Sequence, residues 1–319
     1  PEYWRTGWWR AGDIDSVVIA KLHDAEPDIA VEQVGLMVAD QFPAWAGLTL
    51  APVASSGTDN VMLRLGDRLV VRLPRIASAV PSLAKELEYA PRLGPHLPAA
   101  VPIPLAQGTP GRGYPWPWTV SGWLEGENPS PGHSSGAGLA VDLATFISTL
   151  HATDIEDKAP LGPLRSYRGG PIAARDAPTR SAINRCEGLL DTSVLTAAWD
   201  TVRRVPEGHG KPAWIHTDLH PGNILTVSSR LAGVLDWGGL AIGDPAVDLI
   251  VAWNLLDHTA REVFRGAMDS DEPTWDRGRA WALSIGIVAY PYYVDTNPVL
   301  AHVSRYQIEQ VVADLARTG

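Results

Sequence analysis

The residues best suited to chemistry lie in one short segment, residues 216–223 (His-Thr-Asp-Leu-His-Pro-Gly-Asn), and in Asp236-Trp237-Gly238, which begins thirteen residues after Asn223. Two apolar runs between them, residues 224–227 and 231–235, are joined by Ser-Ser-Arg, which predicts a β-hairpin. Antiparallel pairing would bring Asn223 beside Asp236, with Cα atoms within about 5 Å. Two hard oxygen donors would then converge, as Mg²⁺ prefers, and Asp218 on the preceding loop could orient an attacking hydroxyl.

The spacing His-x-Asp-x-x-x-x-Asn, followed by Asp-x-Gly, is the one that protein kinases and their small-molecule relatives use for a base and two metal ligands. Further motifs follow in order: residues 243–249 (Gly-Asp-Pro-Ala-Val-Asp-Leu), and, nearer the start, residues 56–60 (Ser-Gly-Thr-Asp-Asn) and 70–75 (Val-Val-Arg-Leu-Pro-Arg). On these motifs the chain resembles the aminoglycoside phosphotransferase family, from about Ile29 to its C-terminal end.

The resemblance implies an α+β, two-lobed fold of the protein-kinase type, with an N-lobe of antiparallel sheet plus helix and a mainly helical C-lobe that carries the hairpin. We expect residues 26–121 to form the nucleotide-binding N-lobe and residues 122–319 the catalytic and substrate-binding C-lobe. Residues 1–25, in which Trp4, Trp8 and Trp9 match nothing in the family, are treated as an N-terminal extension of uncertain status and are left out of the fold prediction.

For the C-lobe, the resemblance implies that Asp218 is the catalytic base, that His216 braces its loop, and that Asn223 and Asp236 hold Mg²⁺. His220 is expected to pack the loop, although contact with phosphate or substrate stays open.

Three further residues of these motifs have expected structural roles. Thr217 stands where the family usually has glycine, which puts in doubt a tight backbone approach there, and Asp248 is expected to anchor the loop rather than touch substrate. Asp244, beside Pro245, is expected to shape a turn.

For the N-lobe, the resemblance implies that Arg72 replaces the lysine that pairs with ATP phosphates, and that Glu86 is its partner, with Glu88 as the alternative. Alternation along the strand places Arg72 on the face opposite Val71. Arg75 could share the task or be an exposed charge at the strand end.

Backbone groups are expected to make the remaining nucleotide contacts. The N–H groups of Gly57 and Thr58, with a hydroxyl of Ser55 or Ser56, would bind phosphate. The backbone between Ser121 and Trp123 would bind the adenine edge. Since backbone recognition leaves no side-chain signature, ATP is expected and GTP is not excluded.

The expected function is ATP-dependent phosphorylation of a hydroxyl on an aminoglycoside or related small molecule, as in antibiotic resistance, with a macrolide or non-antibiotic metabolite as alternatives. A nucleotide-binding pseudokinase, suggested by Arg72 and Thr217, also stays open. A third interpretation is a zinc hydrolase, since His216, Asp218 and His220 share one face of an extended segment. That interpretation leaves Asp236-Trp237-Gly238 unexplained.

Composition narrows the classes further. A chain of 319 residues with 45% hydrophobic content can bury a large core, and its net charge of −10 argues against nucleic acid as a partner. One cysteine, Cys186, suits a reducing cytoplasm, and we expect neither a signal peptide nor a membrane span. Residues 244–276 hold eight acids against two arginines, which would attract a cationic substrate.

Secondary structure can be predicted for much of the chain. Apolar periodicity predicts helices over residues 29–42, 82–93, 139–151, 249–256, 260–268 and 275–290. Gly66-Asp67 predicts a tight turn between strands at 61–65 and 68–73, and residues 119–124 should be the last N-lobe strand. Trp253, Trp275 and Trp281 are expected to pack in the core.

Overall fold

The structure is a computed structural model that describes residues 18–54, 57–133, 136–155, 162, 164–208 and 211–318. The chain divides into two compact units. The first comprises Pro1–Arg92 and Pro102–Leu124, and the second comprises Leu93–Val101 and Glu125–Gly319. The boundary expected between residues 121 and 122 falls three residues before the one at Leu124.

The first unit is built on a five-stranded antiparallel sheet with the order β1-β2-β3-β5-β4. The strands are β1 (Leu50–Pro52), β2 (Asn60–Leu65), β3 (Leu69–Pro74), β4 (Pro104–Gly108) and β5 (Trp118–Gly122). Helix α1 (Val31–Gln41) ends just before Pro43, as predicted, and α2 (Val80–Leu93) follows β3. The β2–β3 hairpin is confirmed, with Leu65 paired to Leu69.

Alternating side chains explain the core of this unit. Val61, Leu63 and Leu65 of β2 are buried, while the residues between them are partly exposed. They pack in one cluster with the buried face of α1, including Val34 and Met37. A period of two on the strand and of about 3.6 on the helix is what allows these two faces to meet.

Described residues before α1, which include part of the segment set apart as an extension of uncertain status, contact this unit. Val18 bridges to Ala30, and the buried Glu26 pairs with Arg75 at 2.7 Å. Arg75 therefore neither shares the phosphate role nor lies exposed at the strand end. A buried carboxylate requires a counter-charge, and local periodicity does not reveal a partner 49 residues away.

The second unit is mainly helical. Its helices are α3 (Ala137–Ala152), α4 (Asp176–Arg185), α5 (Thr192–Val202), α6 (Val251–Asn254), α7 (His258–Met268), α8 (Glu272–Tyr293) and α9 (Pro298–Thr318). Trp253, Trp275 and Trp281 are fully buried, which confirms their predicted place in the core. Helices α4, α5 and α9 fall where no element is predicted above. None of the described helices is long and apolar enough to cross a membrane.

Two small antiparallel pairs position the catalytic motifs in this unit. Strand β6 (Ala213–Ile215) pairs with β9 (Ala241–Gly243), and β7 (Ile224–Val227) pairs with β8 (Arg230–Val234). Segment Leu93–Val101 joins this unit because Ala100 exchanges backbone hydrogen bonds with the β8 region, donating to Ala232 and accepting from Val234. The hairpin is confirmed, with its second strand one residue earlier than predicted.

The β7–β8 turn contains two residues, Ser228 and Ser229, with φ of 50° and 60°. Positive φ at both positions is the signature of a type I′ turn, which Asn-Gly adopts more easily than serine. We expect Ser228→Asn with Ser229→Gly to stabilise the protein by about 1 kcal/mol in urea unfolding, because each left-handed residue carries a steric cost. Ser228→Val with Ser229→Val is the control and should be destabilising. Equal stability of the two variants would contradict this turn assignment.

Candidate active site

The loop of residues 216–223, here called the catalytic loop, follows β6 and is held from the far side by Asp248. This carboxylate is fully buried, and it accepts hydrogen bonds from the backbone N–H groups of His216 (2.9 Å) and Thr217 (2.7 Å). His151 lies 3.1 Å from its Oδ2. Asp248 is thus an anchor of the loop, as the sequence predicts, and it fixes the backbone immediately before Asp218.

His216 braces the loop through both ring nitrogens. Its Nε2 donates to the carbonyl of Leu235 at 2.9 Å, and its Nδ1 accepts from the N–H of Asp218 at 3.3 Å. The ring also packs edge-to-face on Trp237 at 5.2 Å. Neither nitrogen remains for a metal ion, which removes the basis of the zinc-hydrolase interpretation. Within the described residues, no group of three or more His, Cys, Asp or Glu is placed to hold a metal.

Asp218 has a partner that the sequence motifs do not reveal. Arg168 donates through Nη1 to Asp218 Oδ1 and to the carbonyl of Thr217, the latter at 3.1 Å. Burial is the largest influence on the pKa of Asp218 and would raise it, but the charge of Arg168, the neighbouring His220 and His216 and the hydrogen bond from Arg168 together outweigh burial, so the pKa is lowered. Asp218 is therefore a carboxylate at neutral pH, and its second oxygen, Oδ2, lies 4.0 Å from His220 Nε2.

His220 packs the loop, and its tautomer can be inferred. Its Nδ1 accepts from the N–H of Gly222 at 3.1 Å, so the proton of the neutral ring lies on Nε2, toward Asp218. Burial lowers the pKa of His220, although the negative charges of Asp218 and Asp236 oppose the shift. A neutral Nε2–H donor is the result at neutral pH.

The hairpin brings Asn223 and Asp236 to its open end. Leu235 donates its N–H to the carbonyl of Asn223 at 2.8 Å, so the two predicted metal ligands flank one backbone hydrogen bond. Asn223 donates its amide nitrogen to the carbonyl of Asp218 at 3.0 Å, which leaves the amide oxygen as the ligand atom. Asp236 has left-handed φ and ψ of 57° and 72°. Two oxygen donors on adjacent backbone fit Mg²⁺, which takes one or two protein ligands plus phosphate and water.

The loop has another brace that the sequence does not reveal. Asn128 donates its side-chain amide toward the carbonyls of Pro221, Gly222 and Ile224 at 3.2, 3.1 and 2.9 Å. It lies over 90 residues before them in sequence and belongs to no motif, so no spacing signal exists for it.

In the first unit, Arg72 pairs with Glu86 as predicted, and both side chains are nearly buried. Strand β3 presents Arg72, and α2 presents Glu86, so the ion pair joins the sheet to the helix. Glu88, the alternative, instead lies near Arg92 on the exposed face of α2 at 3.7 Å. Arg72 is thereby held in one orientation, which a phosphate-binding cation requires.

Thr58 lies in the loop before β2, where its carbonyl faces His23 Nε2 at 3.2 Å and its hydroxyl donates to Asp59 at 3.1 Å. Gly57 lies beside it in the described chain. Ser55 and Ser56, whose hydroxyls are predicted to reach phosphate, lie outside the described residues. The N–H groups of Gly57 and Thr58 stay predicted phosphate contacts, and the contact with His23 was not anticipated from sequence.

Strand β5 determines which backbone groups between Ser121 and Trp123 remain for the expected adenine contact. Its N–H donates to the carbonyl of Arg68 at 2.8 Å, and Ser121 pairs with Val70 of β3. Because alternate residues of a strand direct their backbone groups to opposite sides, Gly122 and Leu124 direct theirs away from β3. Gly122 lies within the range expected to bind the adenine edge, Leu124 lies just beyond it, and the contact itself stays a prediction. Register of this kind is not visible in the sequence.

The comparison with protein families decides the membership. A model described as the phosphotransferase enzyme family matches residues 50–281. The chain belongs to the phosphotransferase enzyme family. The resemblance noted from the motifs is thereby confirmed, and so is the prediction that the chain is a phosphotransferase.

Individual relatives of this phosphotransferase are distant. The uncharacterized protein YcbJ of Bacillus subtilis strain 168 is 25% identical over 164 residues, 49% of each protein, so the match spans about half of that relative. The GDP and kanamycin complex of APH(2")-IIia superposes with a TM-score of 0.70 at 18% identity, covering 88% of this chain and 98% of that one. Macrolide 2'-phosphotransferase MphH from Brachybacterium faecium gives 0.59 at 22%, covering 88% and 98%. These likenesses confirm the two-lobed, kinase-like α+β fold.

The acidic stretch of this phosphotransferase is mostly committed to internal contacts. Six of its eight acids have structural partners: Asp244 with Arg277, Asp248 with the catalytic loop, Asp257 and Asp271 at helix starts, Glu272 with Arg265, and Asp276 with Arg279. Glu262 and Asp269 remain as exposed acids. The stretch therefore offers a cationic substrate much less charge than its composition suggests.

Thr217 has a φ of 73°, which explains why the family usually places glycine there. Its N–H is held by Asp248, and its hydroxyl donates to the carbonyl of Gly239 at 3.1 Å. A β-branched residue in this region is strained by an amount on the order of 1–3 kcal/mol, which the surrounding hydrogen bonds must offset.

Two substitutions isolate this strain. Thr217→Ala and Thr217→Gly both delete the hydroxyl, but we expect the glycine variant to be the more stable by about 1 kcal/mol, because alanine keeps the steric clash. Thr145 on the exposed face of α3 is the matched control, and there alanine should exceed glycine by about 1 kcal/mol. Urea unfolding of the four variants gives both differences. The same order at both positions would show that residue 217 is unstrained.

Proposed function

We propose that the protein is an O-phosphotransferase that uses ATP and Mg²⁺ to phosphorylate a hydroxyl of a small molecule. The observation that carries this proposal is the setting of Asp218. Its Oδ1 is bonded by Arg168, its backbone is fixed by His216 and Asn223, and Oδ2 faces the Nε2–H side of His220. A carboxylate held in this way can accept the proton of an acceptor hydroxyl through Oδ2.

In the proposed reaction, the acceptor oxygen attacks the γ-phosphorus, the bond from phosphorus to the bridging oxygen breaks, ADP leaves, and the hydroxyl proton passes to Asp218. Mg²⁺ at the oxygens of Asn223 and Asp236 would neutralise charge on the phosphate oxygens. Arg72, held by Glu86, would pair with nucleotide phosphate. GTP is not excluded, since the base would be read by backbone groups.

A pseudokinase module is the second candidate function. It is favoured by the Arg168 guanidinium, which engages the carboxylate that should act as base. Against it, the lowered pKa keeps Asp218 ionised, and Asn223 and Asp236 flank one hydrogen bond at the hairpin end. Single-turnover measurement with ATP and Mg²⁺ across a panel of hydroxylated acceptors separates the two candidates. Nucleotide binding without ADP formation would favour the module.

The acceptor on this proposal is a small molecule. An aminoglycoside or macrolide, and with it antibiotic resistance, is supported by a fold shared with phosphotransferases of both antibiotics. A non-antibiotic metabolite is the alternative, favoured by the internal pairing of the acidic stretch. The single buried thiol of Cys186 supports a cytoplasmic location.

The role of Asp218 can be tested by Asp218→Asn. We expect kcat to fall by about 10²-fold or more while nucleotide affinity stays nearly unchanged, because the amide cannot accept a proton. Asp40→Asn is the matched control, since Asp40 also pairs with an arginine, Arg112, but on the surface of α1. It should leave kcat unaltered. Unchanged turnover of the Asp218 variant would remove that residue from the role of base.

The metal site can be tested by calorimetry of ATP binding with and without Mg²⁺. Asp236→Ala should abolish the gain in affinity that Mg²⁺ gives, and Asn223→Ala should weaken it, because each removes one oxygen ligand. Asp269→Asn, which neutralises an exposed acid, is the control. After chelation, zinc should not restore turnover. Recovery with zinc alone would contradict the assignment to Mg²⁺.

A further inference from the structure

A second guanidinium, that of Arg175, contacts the same tyrosine ring as Arg168. The ring of Tyr167, which is 62% exposed, is contacted by the guanidinium carbons of both Arg168 and Arg175, at 5.7 and 5.0 Å from its centroid. Arg168 also donates through Nε to the Tyr167 hydroxyl at 3.0 Å. The three residues form one cluster, here called the arginine–tyrosine cluster, which Arg168 joins directly to Asp218.

The guanidinium of Arg175 contacts neutral side chains of the second unit. Its Nε donates to Ser284 Oγ at 3.1 Å, and its guanidinium lies 5.8 Å from the ring of the buried Trp281. No carboxylate among the described residues pairs with it. By contrast, the buried arginines of the same unit pair with acids: Arg277 with Asp244, Arg261 with Asp314, and Arg279 with Asp276 and Asp314.

A half-buried guanidinium with no carboxylate partner among the described residues is incompletely compensated for its loss of water. Burial, together with the charge of Arg168, lowers the pKa of Arg175, which shows that the local environment disfavours the charged form. Arginine nevertheless stays protonated at neutral pH. An anion at this position would relieve the cost, and the two Nη groups can bind a carboxylate or phosphate in a bidentate manner.

The location makes the acceptor the natural source of this anion. A hydroxyl on Asp218 Oδ2 would lie beside Arg168, and other groups of the same molecule would extend toward Tyr167 and Arg175. Charges interact more strongly at such a site than in bulk water, because the effective dielectric constant near a protein surface is lower. An anionic group would gain from this interaction and an ammonium group would be repelled.

We propose that Arg175 and Tyr167 form an acceptor subsite for a carboxylate or phosphate group, so that the substrate is a hydroxylated anion rather than a polycation. This inference rests on the proposed phosphotransferase function, and it names the class of acceptor that the site would take. Tyr167 supplies an exposed ring and hydroxyl against which the acceptor can pack, and Arg175 supplies the charge.

The test compares matched acceptors that differ in one group. Sugar acids are compared with their amides, and sugar phosphates are compared with the parent sugars. Aminoglycosides serve as cationic acceptors. ADP release is measured for wild type, Arg175→Gln, Arg175→Lys and the control Arg185→Gln, an exposed arginine that ends α4. We expect anionic acceptors to be preferred. Arg175→Gln should raise their KM by about 10-fold or more, as for loss of one charge-assisted contact, with kcat and the KM of neutral acceptors little changed. Arg175→Lys should be intermediate.

A binding measurement keeps the outcomes separate. Inorganic phosphate and acetate are titrated into wild type, Arg175→Gln and Arg72→Gln, each checked for cooperative thermal unfolding. Anion binding that survives Arg72→Gln but is lost in Arg175→Gln supports the subsite. If, in addition, no acceptor leads to ADP release, the phosphotransferase proposal alone is overturned. Turnover of neutral or cationic acceptors with no dependence on Arg175 would overturn the subsite alone. If the protein shows no anion binding at Arg175 and no turnover of any acceptor, both the subsite and the phosphotransferase proposal are overturned.

Discussion

The buried carboxylate of Asp248 is the interaction on which the catalytic loop depends. It accepts the N–H groups of His216 and Thr217, and with His151 it is satisfied inside the core of the second unit. Hydrogen bonds from backbone to a carboxylate are stronger than neutral ones, so this anchor can hold Thr217 at positive φ. The direction of the chain into Asp218 follows from that conformation. The loop is therefore anchored in the core of the second unit, and Asp218 follows directly after the two anchored residues.

The charge that a substrate meets differs from the net charge of the chain. Most acids between residues 244 and 276 neutralise arginines or cap helices, so their sum in the sequence overstates the field outside the protein. Several described arginines pair with acids, whereas no described carboxylate pairs with Arg175. A net charge of −10 thus says little about the charge that a substrate meets. Arg168, which pairs with Asp218, and Arg175, which contacts the same Tyr167 ring, form a local concentration of positive charge in a chain of negative sign.

Sequence predicts the parts of this structure that local rules determine. Both hairpins, β2–β3 and β7–β8, follow from spacing, because the two strands of each hairpin are close in sequence. The same spacing positions Asp218, Asn223 and Asp236. The Arg72–Glu86 pair was accessible through family resemblance. Arg168 and Asn128 were not, since each reaches the loop from a segment 49 or more residues earlier and obeys no motif. Likewise, the Glu26–Arg75 pair and the engaged N–H of Trp123 arise from long-range packing and strand register.

Residues found from motif spacing and residues that reach the loop from distant segments should contribute differently to the choice of acceptor. Oδ2 of Asp218 can bind any hydroxyl, and the oxygens of Asn223 and Asp236 would meet a phosphate in every reaction, so these groups distinguish poorly between acceptors. Discrimination must come from residues beside the loop, where one favourable or repulsive charge changes affinity by an order of magnitude or more. In this chain those neighbours are Arg168, Tyr167 and Arg175. Because they enter from segments outside the motifs, two chains can share the whole catalytic signature and still select acceptors of opposite charge.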